Sequence, residues 1–223
     1  VNIAYLRHDL VWLDPDIDAG LFASKEHEEQ ARNWVKNHFP LVVARQSSPL
    51  AKESNQILLG FTLSSAPMRT RVLLKADRAA IIQHRRPILL YEAIQFAPKH
   101  WLANMVKLNA LFEISGVTAR IYGSLSSEIF TGIKYLDEAS DLDLLLECRE
   151  DTKLAELLAQ LENFSVMPRI DGEILSPSGW ATSWRELATA LRSATPSQVL
   201  AKSDCEICLK TIEHFMQANL LSA

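Results

Sequence analysis

The chain has 223 residues, 48% of them apolar and 22% charged, a composition that suits one large or two small globular domains and excludes a low-complexity or fibrous protein. No stretch approaches ~18 consecutive apolar residues, which excludes a membrane-spanning helix. A net charge of −4 leaves the chain without the basic footprint of a nucleic-acid binder. The charged triplet Arg7-His8-Asp9 falls where a secretion signal would need an apolar run. Cys148, Cys205 and Cys208 are too few for a disulfide framework, and Cys205-x-x-Cys208 lacks the second pair of ligands that a zinc site needs. They read as thiols in a reducing compartment, so the expected location is the cytoplasm, with neither membrane nor nucleic acid as partner.

Taken in chain order, Tyr5–Leu13 reads as a short strand ended by Asp14-Pro15-Asp16. Ala31, Trp34 and Val35, spaced i, i+3, i+4 among charged residues, predict an amphipathic helix over Lys25–His38 that Pro40 stops. Leu41–Arg45 follows as a β-rich run, and the polar stretch Gln46–Asn55 as a loop. Ile57–Leu63 and Arg71–Leu74 predict strands separated by a turn at Ser64–Pro67, with a short helix over Asp77–Arg85. These elements make a small N-terminal α+β module over 1–86. Pro87 and Pro98 bracket a connecting stretch, Ile88–Ala97, at the head of a second domain over 87–223. A helix over Trp101–Ser115 ends at Gly116. Strands are expected at Val117–Tyr122, Asp141–Glu147 and Ile170–Leu175, and helices at Asp151–Asn163 and, after a Pro177–Gly179 turn, Ala181–Ala190. One or two strands within Val199–Leu209 and a helix over Thr211–Leu221 complete the chain.

Charge divides along the same lines. Residues 1–99 hold 13 Lys/Arg against 10 Asp/Glu, a net +3, and residues 100–223 hold 10 against 17, a net −7. Between Arg45 and Arg86 there are eight basic residues and only Glu53 and Asp77 to oppose them, a local +6.

The chemistry concentrates between Ile121 and Glu147. Gly123-Ser124 follows an apolar strand, and Asp141-Leu142-Asp143 opens another. Residues two apart on a strand share a face, roughly 7 Å between Cα atoms, so the two carboxylates converge on a site for a hard cation such as Mg2+. Gly123 lets a ligand approach the backbone, and Ser124 adds a hydroxyl beside exposed amides, an arrangement suited to a phosphate oxygen. Lys75 and Lys202 each follow apolar runs and offer either an ammonium at a cleft or a solvated strand end. Trp180 and Trp184 read as core or domain-interface residues in preference to adenine-stacking ones.

Apolar-Gly-Ser, a gap of about sixteen residues, then Asp-apolar-Asp resembles the polymerase-β-like nucleotidyltransferase superfamily. That superfamily usually adds a third carboxylate on a later strand, for which Asp171 is favoured here and Glu173 is the alternative. The ordered series Arg7-His8-Asp9-Leu10-Val11-Trp12-Leu13, Tyr122-Gly123-Ser124, Thr131-Gly132-Ile133-Lys134-Tyr135-Leu136, Ser140-Asp141-Leu142-Asp143, Asp171-Gly172-Glu173, Trp184-Arg185-Glu186-Leu187 and Val199-Leu200-Ala201-Lys202 narrows the resemblance. It looks like the malonate decarboxylase holo-acyl-carrier-protein synthase family, also called phosphoribosyl-dephospho-CoA transferase. Leu125-Ser126-Ser127 departs from that family, which usually carries a bulky residue directly after Gly-Ser.

The resemblance implies an accessory domain followed by a nucleotidyltransferase-like domain with a mixed sheet flanked by helices. It implies transfer of the 2'-(5''-phosphoribosyl)-3'-dephospho-CoA group from 2'-(5''-triphosphoribosyl)-3'-dephospho-CoA to a serine of the decarboxylase's acyl carrier subunit, with release of pyrophosphate. Asp141 and Asp143 would hold Mg2+, and Asp171 would be a further ligand or the base. Arg7 and His8 would contribute to substrate binding. The carrier would be acidic, and the charge split then offers the basic segment 45–86 as its steering surface, the alternative being a solvated face neutralised by neighbours such as Asp77. Two other readings keep part of this pattern: an Mg-dependent nucleotidyltransferase with another hydroxyl acceptor, and a noncatalytic module that binds the carrier.

Overall fold

Period-two alternation of apolar and polar residues builds the first of two units in the computed structural model, which describes residues 4–16, 22–46, 55–64, 69–164, 167–193, 195 and 197–217. This unit comprises residues 1–87 together with 130–135 and 204–206. Its elements are β1 (Leu10–Leu13), β2 (Phe22–Ala23), α1 (Glu28–Lys36), β3 (Leu41–Val43), β4 (Gln56–Leu63), β5 (Thr70–Asp77) and β6 (Ile81–Arg85). The strands form one antiparallel sheet in the order β2-β5-β4-β3-β1-β6. On β4 and β5 the inward residues Ile57, Leu59 and Phe61 face Ala76, Leu74 and Val72 in register, while Arg71, Leu73 and Lys75 point outward. Helix α1 closes the core with Ala31, Trp34 and Val35, all buried as its spacing predicts. Trp34 stacks on Phe61 at 4.4 Å and donates its Nε1 hydrogen to the Pro40 carbonyl at 2.9 Å, which satisfies the polar end of an otherwise apolar payload.

The two later segments are tied into this unit by hydrogen bonds. Tyr135 Oη donates to the Thr62 carbonyl at 2.7 Å, Arg69 donates to the Tyr135 carbonyl, and Ser64 Oγ donates to the Lys134 carbonyl at 2.7 Å. Burial pushes the Tyr135 phenol up from its ordinary pKa. Asp204 accepts from the Arg7 amide at 2.8 Å and, through its carbonyl, from the Gln46 amide at 2.7 Å.

The second unit holds residues 88–129, 136–203 and 207–223. In chain order it contains β7 (Ile88–Leu89), α2 (Leu90–Ala93), α3 (Leu102–Ile114), β8 (Thr118–Ile121), α4 (Gly123–Thr131, whose last two residues count with the first unit), β9 (Leu142–Glu147) and α5 (Leu154–Asn163). There follow β10 (Ile170–Leu175), β11 (Ala181–Ser183), α6 (Trp184–Arg192), β12 (Gln198–Lys202), β13 (Ile207–Thr211) and α7 (Ile212–Met216). The seven strands lie in the order β13-β12-β11-β10-β9-β8-β7. Only β9 and β10 run parallel, and the connection between them is the helical crossover that parallel neighbours require, here α5. The sheet is therefore mixed and flanked by helices. Among the described residues no helix is long and apolar enough to cross a membrane.

Several expected elements change. The helix expected over Asp77–Arg85 is a single 3-10 turn, Arg78–Ala80, followed by β6, because pairing with β1 overrides the weak helical preference of Ile81-Ile82-Gln83. The first strand begins only at Leu10: Arg7 and His8 form a turn, with His8 at φ +69°, and the Asp9 amide donates back to the Leu6 carbonyl at 3.1 Å. Ile88–Ala97 is more than a connection, since Ile88 and Leu89 pair with Ile121 and Arg120 at the sheet edge. Ala181–Ser183 pairs with β10 before helix α6 starts at Trp184. The Gly123-Ser124 turn opens directly into a helix. Most of the expected Gln46–Asn55 loop, the Ser64–Pro67 turn beyond Ser64, and the expected helix beyond Gln217 lie outside the described residues.

Among the described residues, Asp9 is the buried charge of the first unit. Its fully enclosed carboxylate accepts from the Leu6 amide at 2.9 Å, from His84 Nε2 at 2.7 Å and from Arg86 Nη1 at 2.5 Å. Removing one partner of a buried pair typically costs ~3–5 kcal/mol; Arg86 stays a quarter exposed, so Asp9→Asn should cost about 2 kcal/mol. Urea unfolding of the full chain should show a lower midpoint with an unchanged slope; an unchanged midpoint would show that Asp9 does not hold the unit together.

Candidate active site

The site is built where three elements of the second unit meet: the end of β8 running into α4, the start of β9, and the start of β10. Strands β9 and β10 are in register with Asp143 opposite Asp171, neighbouring strands being ~4.8 Å apart. Two carboxylates are thereby held side by side, a placement that like charges oppose. Gly172 makes this pairing possible. Its φ is +140°, and a Cβ there would stand 2.0 Å from the Leu144 carbonyl oxygen of β9.

Gly123 does the equivalent on the other side. It sits at φ +67°, and a Cβ at this position would lie 1.9 Å from Asp143 Oδ2. The Asp143 carboxylate thus occupies the room that the missing side chain leaves, and the Tyr122 amide donates to the Asp143 carbonyl at 3.2 Å. The sequence pointed to Gly123 as room for a ligand; in the structure the first group to use that room is Asp143 itself. Ser124, half-buried, lies in the first turn of α4, where backbone amides lack intrahelical acceptors.

Asp141, immediately before β9, meets Arg169 in a two-pronged ion pair with both bonds at 2.5 Å. Hydrogen bonding and charge from Asp141, with a further contribution from Asp171, raise the pKa of the Arg169 guanidinium above its ordinary value. Asp171 is exposed, and its Oδ1 accepts from the Gly172 amide at 2.8 Å. Two residues along β10, Glu173 is nearly buried and pairs with Lys202 at 3.2 Å. Among the described residues no three His, Cys, Asp or Glu side chains are gathered into a ready-made metal cage. Burial pushes the Cys148 thiol up to about 12, so at neutral pH it is no nucleophile.

The structure therefore brings together Gly123, Ser124, Asp141, Asp143 and Asp171, with Glu173 and Lys202 paired to each other further along the sheet. Arg7, His8 and Lys75 belong to the first unit. Arg7 Nη2 and His8 Nε2 lie 3.1 Å apart in the turn before β1, and Lys75 faces solvent from the middle of β5. Trp184 is core, 2% exposed. Arg169 is the site residue that sequence reasoning missed. Its only signal is a cationic side chain two residues ahead of Asp171, and nothing in the sequence links it to Asp141.

The contact between Gly123 and Asp143 yields a test. Gly123→Ala should destabilise the chain by about 2–3 kcal/mol, from the positive φ and from displacement of the carboxylate. In an Asp143→Ala background, which removes the carboxylate, the same substitution should cost about 1 kcal/mol less. Equal costs in the two backgrounds, measured by urea unfolding, would show that the glycine serves only the backbone turn.

Two family models match the chain. Phosphoribosyl-dephospho-CoA transferase MdcG N-terminal domain matches residues 6–87, and Phosphoribosyl-dephospho-CoA transferase MdcG C-terminal domain matches residues 89–211. A phosphoribosyl-dephospho-CoA transferase of Xanthomonas campestris pv. campestris (strain 8004) is 34% identical over 211 residues, covering 92% of this chain and 94% of the relative. One from Bradyrhizobium diazoefficiens is 31% identical over 186 residues and 81% of each chain, and one from Xanthomonas euvesicatoria pv. vesicatoria is 30% identical over 205 residues, covering 90% and 92%. No solved structure matches significantly. With both of its domain models matched in order along nearly the whole chain, the protein belongs to the phosphoribosyl-dephospho-CoA transferase MdcG family.

Proposed function

We propose that the chain transfers the 2'-(5''-phosphoribosyl)-3'-dephospho-CoA group from its 5''-triphosphate donor to a serine hydroxyl on the acyl carrier subunit of malonate decarboxylase, with pyrophosphate as the other product. The reading is carried by the seating of Asp143 against Gly123 at the head of α4, with Asp171 beside it in register. Family membership supports the same class of transfer.

The step forms a bond from the serine oxygen to the α-phosphorus of the donor and breaks the bond from that phosphorus to the pyrophosphate oxygen. Asp171, exposed and with Oδ1 taken by the Gly172 amide, receives the serine proton on its other oxygen. The first-turn amides of α4 and the hydroxyl of Ser124 face phosphate oxygens at the opposite side of Asp143. The carboxyl oxygens of Asp141, Asp143 and Asp171 suit Mg2+, an ion that takes one or two carboxylates and fills its remaining positions with water and substrate phosphate. When bound there, Mg2+ supplies charge neutralisation for the triphosphate and for the leaving pyrophosphate. Arg169, paired with Asp141, adds a fixed positive charge beside the same phosphates.

Purified chain, triphosphoribosyl-dephospho-CoA and unmodified carrier should give equal amounts of pyrophosphate and mass-shifted carrier. Asp143→Asn should lower turnover at least ~100-fold while keeping the circular dichroism of the parent. Turnover above about a tenth of the parent's would remove Asp143 from the mechanism.

The basic segment divides once its contacts are known. Arg69, Arg78, Arg85 and Arg86 are engaged by the Tyr135 carbonyl, the Tyr5 ring, the Phe130 ring and Asp9, whereas Arg71 and Lys75 form an exposed row on β5. Steering of an acidic carrier is assigned to that row, Arg45 being a single exposed cation beyond β3 and Lys52 lying outside the described residues. Arg71→Glu with Lys75→Glu should raise the KM for carrier about tenfold at low ionic strength, less as salt is added, with kcat kept. A KM unchanged at low salt would make the row ordinary surface.

A further inference from the structure

A cavity of about 380 Å3 opens in the second unit between the end of α5, the approach to β10 and the first turn of α6. Leu161, Phe164, Met167, Arg169, Trp184 and Arg185 line it, and the volume lies within the ~300–1,000 Å3 usual for small-molecule sites. Its walls combine aliphatic, aromatic and thioether surface with two guanidiniums, in a region where acidic residues outnumber basic ones 17 to 10. Glu162, which also lines it, is paired with Arg192, so its charge is already answered.

The two arginines are held differently. Arg185 is fixed: its Nη2 donates to the Ile170 carbonyl at 2.8 Å, and its guanidinium lies 4.3 Å from the centre of the Trp184 ring. Trp184 itself has its indole Nε1 buried without a hydrogen-bond partner. Arg169 is two-thirds exposed and reaches Asp141. One side chain thus belongs both to the cavity wall and to the carboxylate cluster. A phosphate held at Arg169 is beside the cluster, and whatever heterocycle is joined to that phosphate has the apolar cavity next to it.

We propose that this cavity seats the adenine nucleotide portion of the donor, the base against Phe164 and Met167 and the phosphates toward Arg169 and Arg185. The proposal rests on the transferase reading for the identity of the donor, and it names the part of the protein that recognises the dephospho-CoA tail. Apolar walls take the base, while guanidiniums match phosphate oxygens in two-pronged geometry.

Calorimetry with the full chain in metal-free buffer tests it, using dephospho-CoA and inorganic pyrophosphate as separate probes. Dephospho-CoA should bind the parent chain and lose affinity about tenfold or more in Met167→Glu, which adds a carboxylate to the wall, and in Arg185→Gln. Met167 is 43% exposed, so its variant keeps the fold even if Arg185→Gln does not. No binding of dephospho-CoA, equal affinity in the parent and Met167→Glu, or binding of pyrophosphate alone would each overturn the site. The reaction separates this result from the transferase reading. Transfer with a donor KM unchanged in Met167→Glu removes the cavity and leaves the enzyme. Cavity-dependent dephospho-CoA binding without any pyrophosphate release leaves the cavity and removes the enzyme.

Discussion

The candidate site depends on how closely other backbone can approach β9. A carboxylate rests where the side chain of residue 123 would be, and a carbonyl of β9 rests where the side chain of residue 172 would be. Each glycine removes an obstacle on one flank of the same strand, α4 on one side and β10 on the other. Asp143 is consequently held between a helix start and a second carboxylate, with little freedom to turn away from either. An alanine at either position would push the flanking element off β9 or rotate the acid out of line. The geometry of the acids is therefore set by two residues that carry no functional group.

Charge is balanced unevenly around these acids. Asp141 has Arg169 and Glu173 has Lys202, one pair largely in solvent and the other mostly enclosed. The exposed Arg169 pair contributes little to stability. The value of both pairs lies in keeping each side chain where it is. Asp171 is left exposed near the start of its strand, opposite Asp143 on the neighbouring one. Arg169 sets one cation beside Asp141, within electrostatic reach of Asp171.

Much of this was legible from periodicity and little of it from propensity. Ala31, Trp34 and Val35 announced α1, and the alternation through Ile57–Leu63 announced β4, because burial on one face leaves a fixed spacing in the sequence. Asp141 and Asp143 stood out as carboxylates at the head of an apolar strand, Asp171 only through a family resemblance that kept Glu173 as its alternative, and the register sets Asp143 opposite Asp171. Short elements with mixed composition were not legible. Ile81–Arg85 is a strand only because β1 lies beside it, and Ala181–Ser183 only because β10 does. Arg169 is the clearest case: its partner is 28 residues earlier, brought near by a parallel crossover that no local pattern encodes. The close seating of Asp143 on Gly123 was also out of reach, since a glycine announces room without saying which atom will fill it.

The first unit is not a continuous stretch of chain, because it includes residues 130–135 and 204–206. The chain accordingly passes between the two units at 87, 129, 135, 203 and 206. Synthesis proceeds from the N-terminus, and domains generally fold as units while it does so. Here the six strands and α1 have all been made by residue 85, yet Tyr135 and Asp204 arrive much later. The ribosome must pass the whole stretch from Arg85 to Asp204 before the Arg7 and Gln46 amides can meet Asp204. Until then the N-terminal sheet is a partly finished body waiting on its own last pieces, and by the time they arrive the second unit has been made as far as β12.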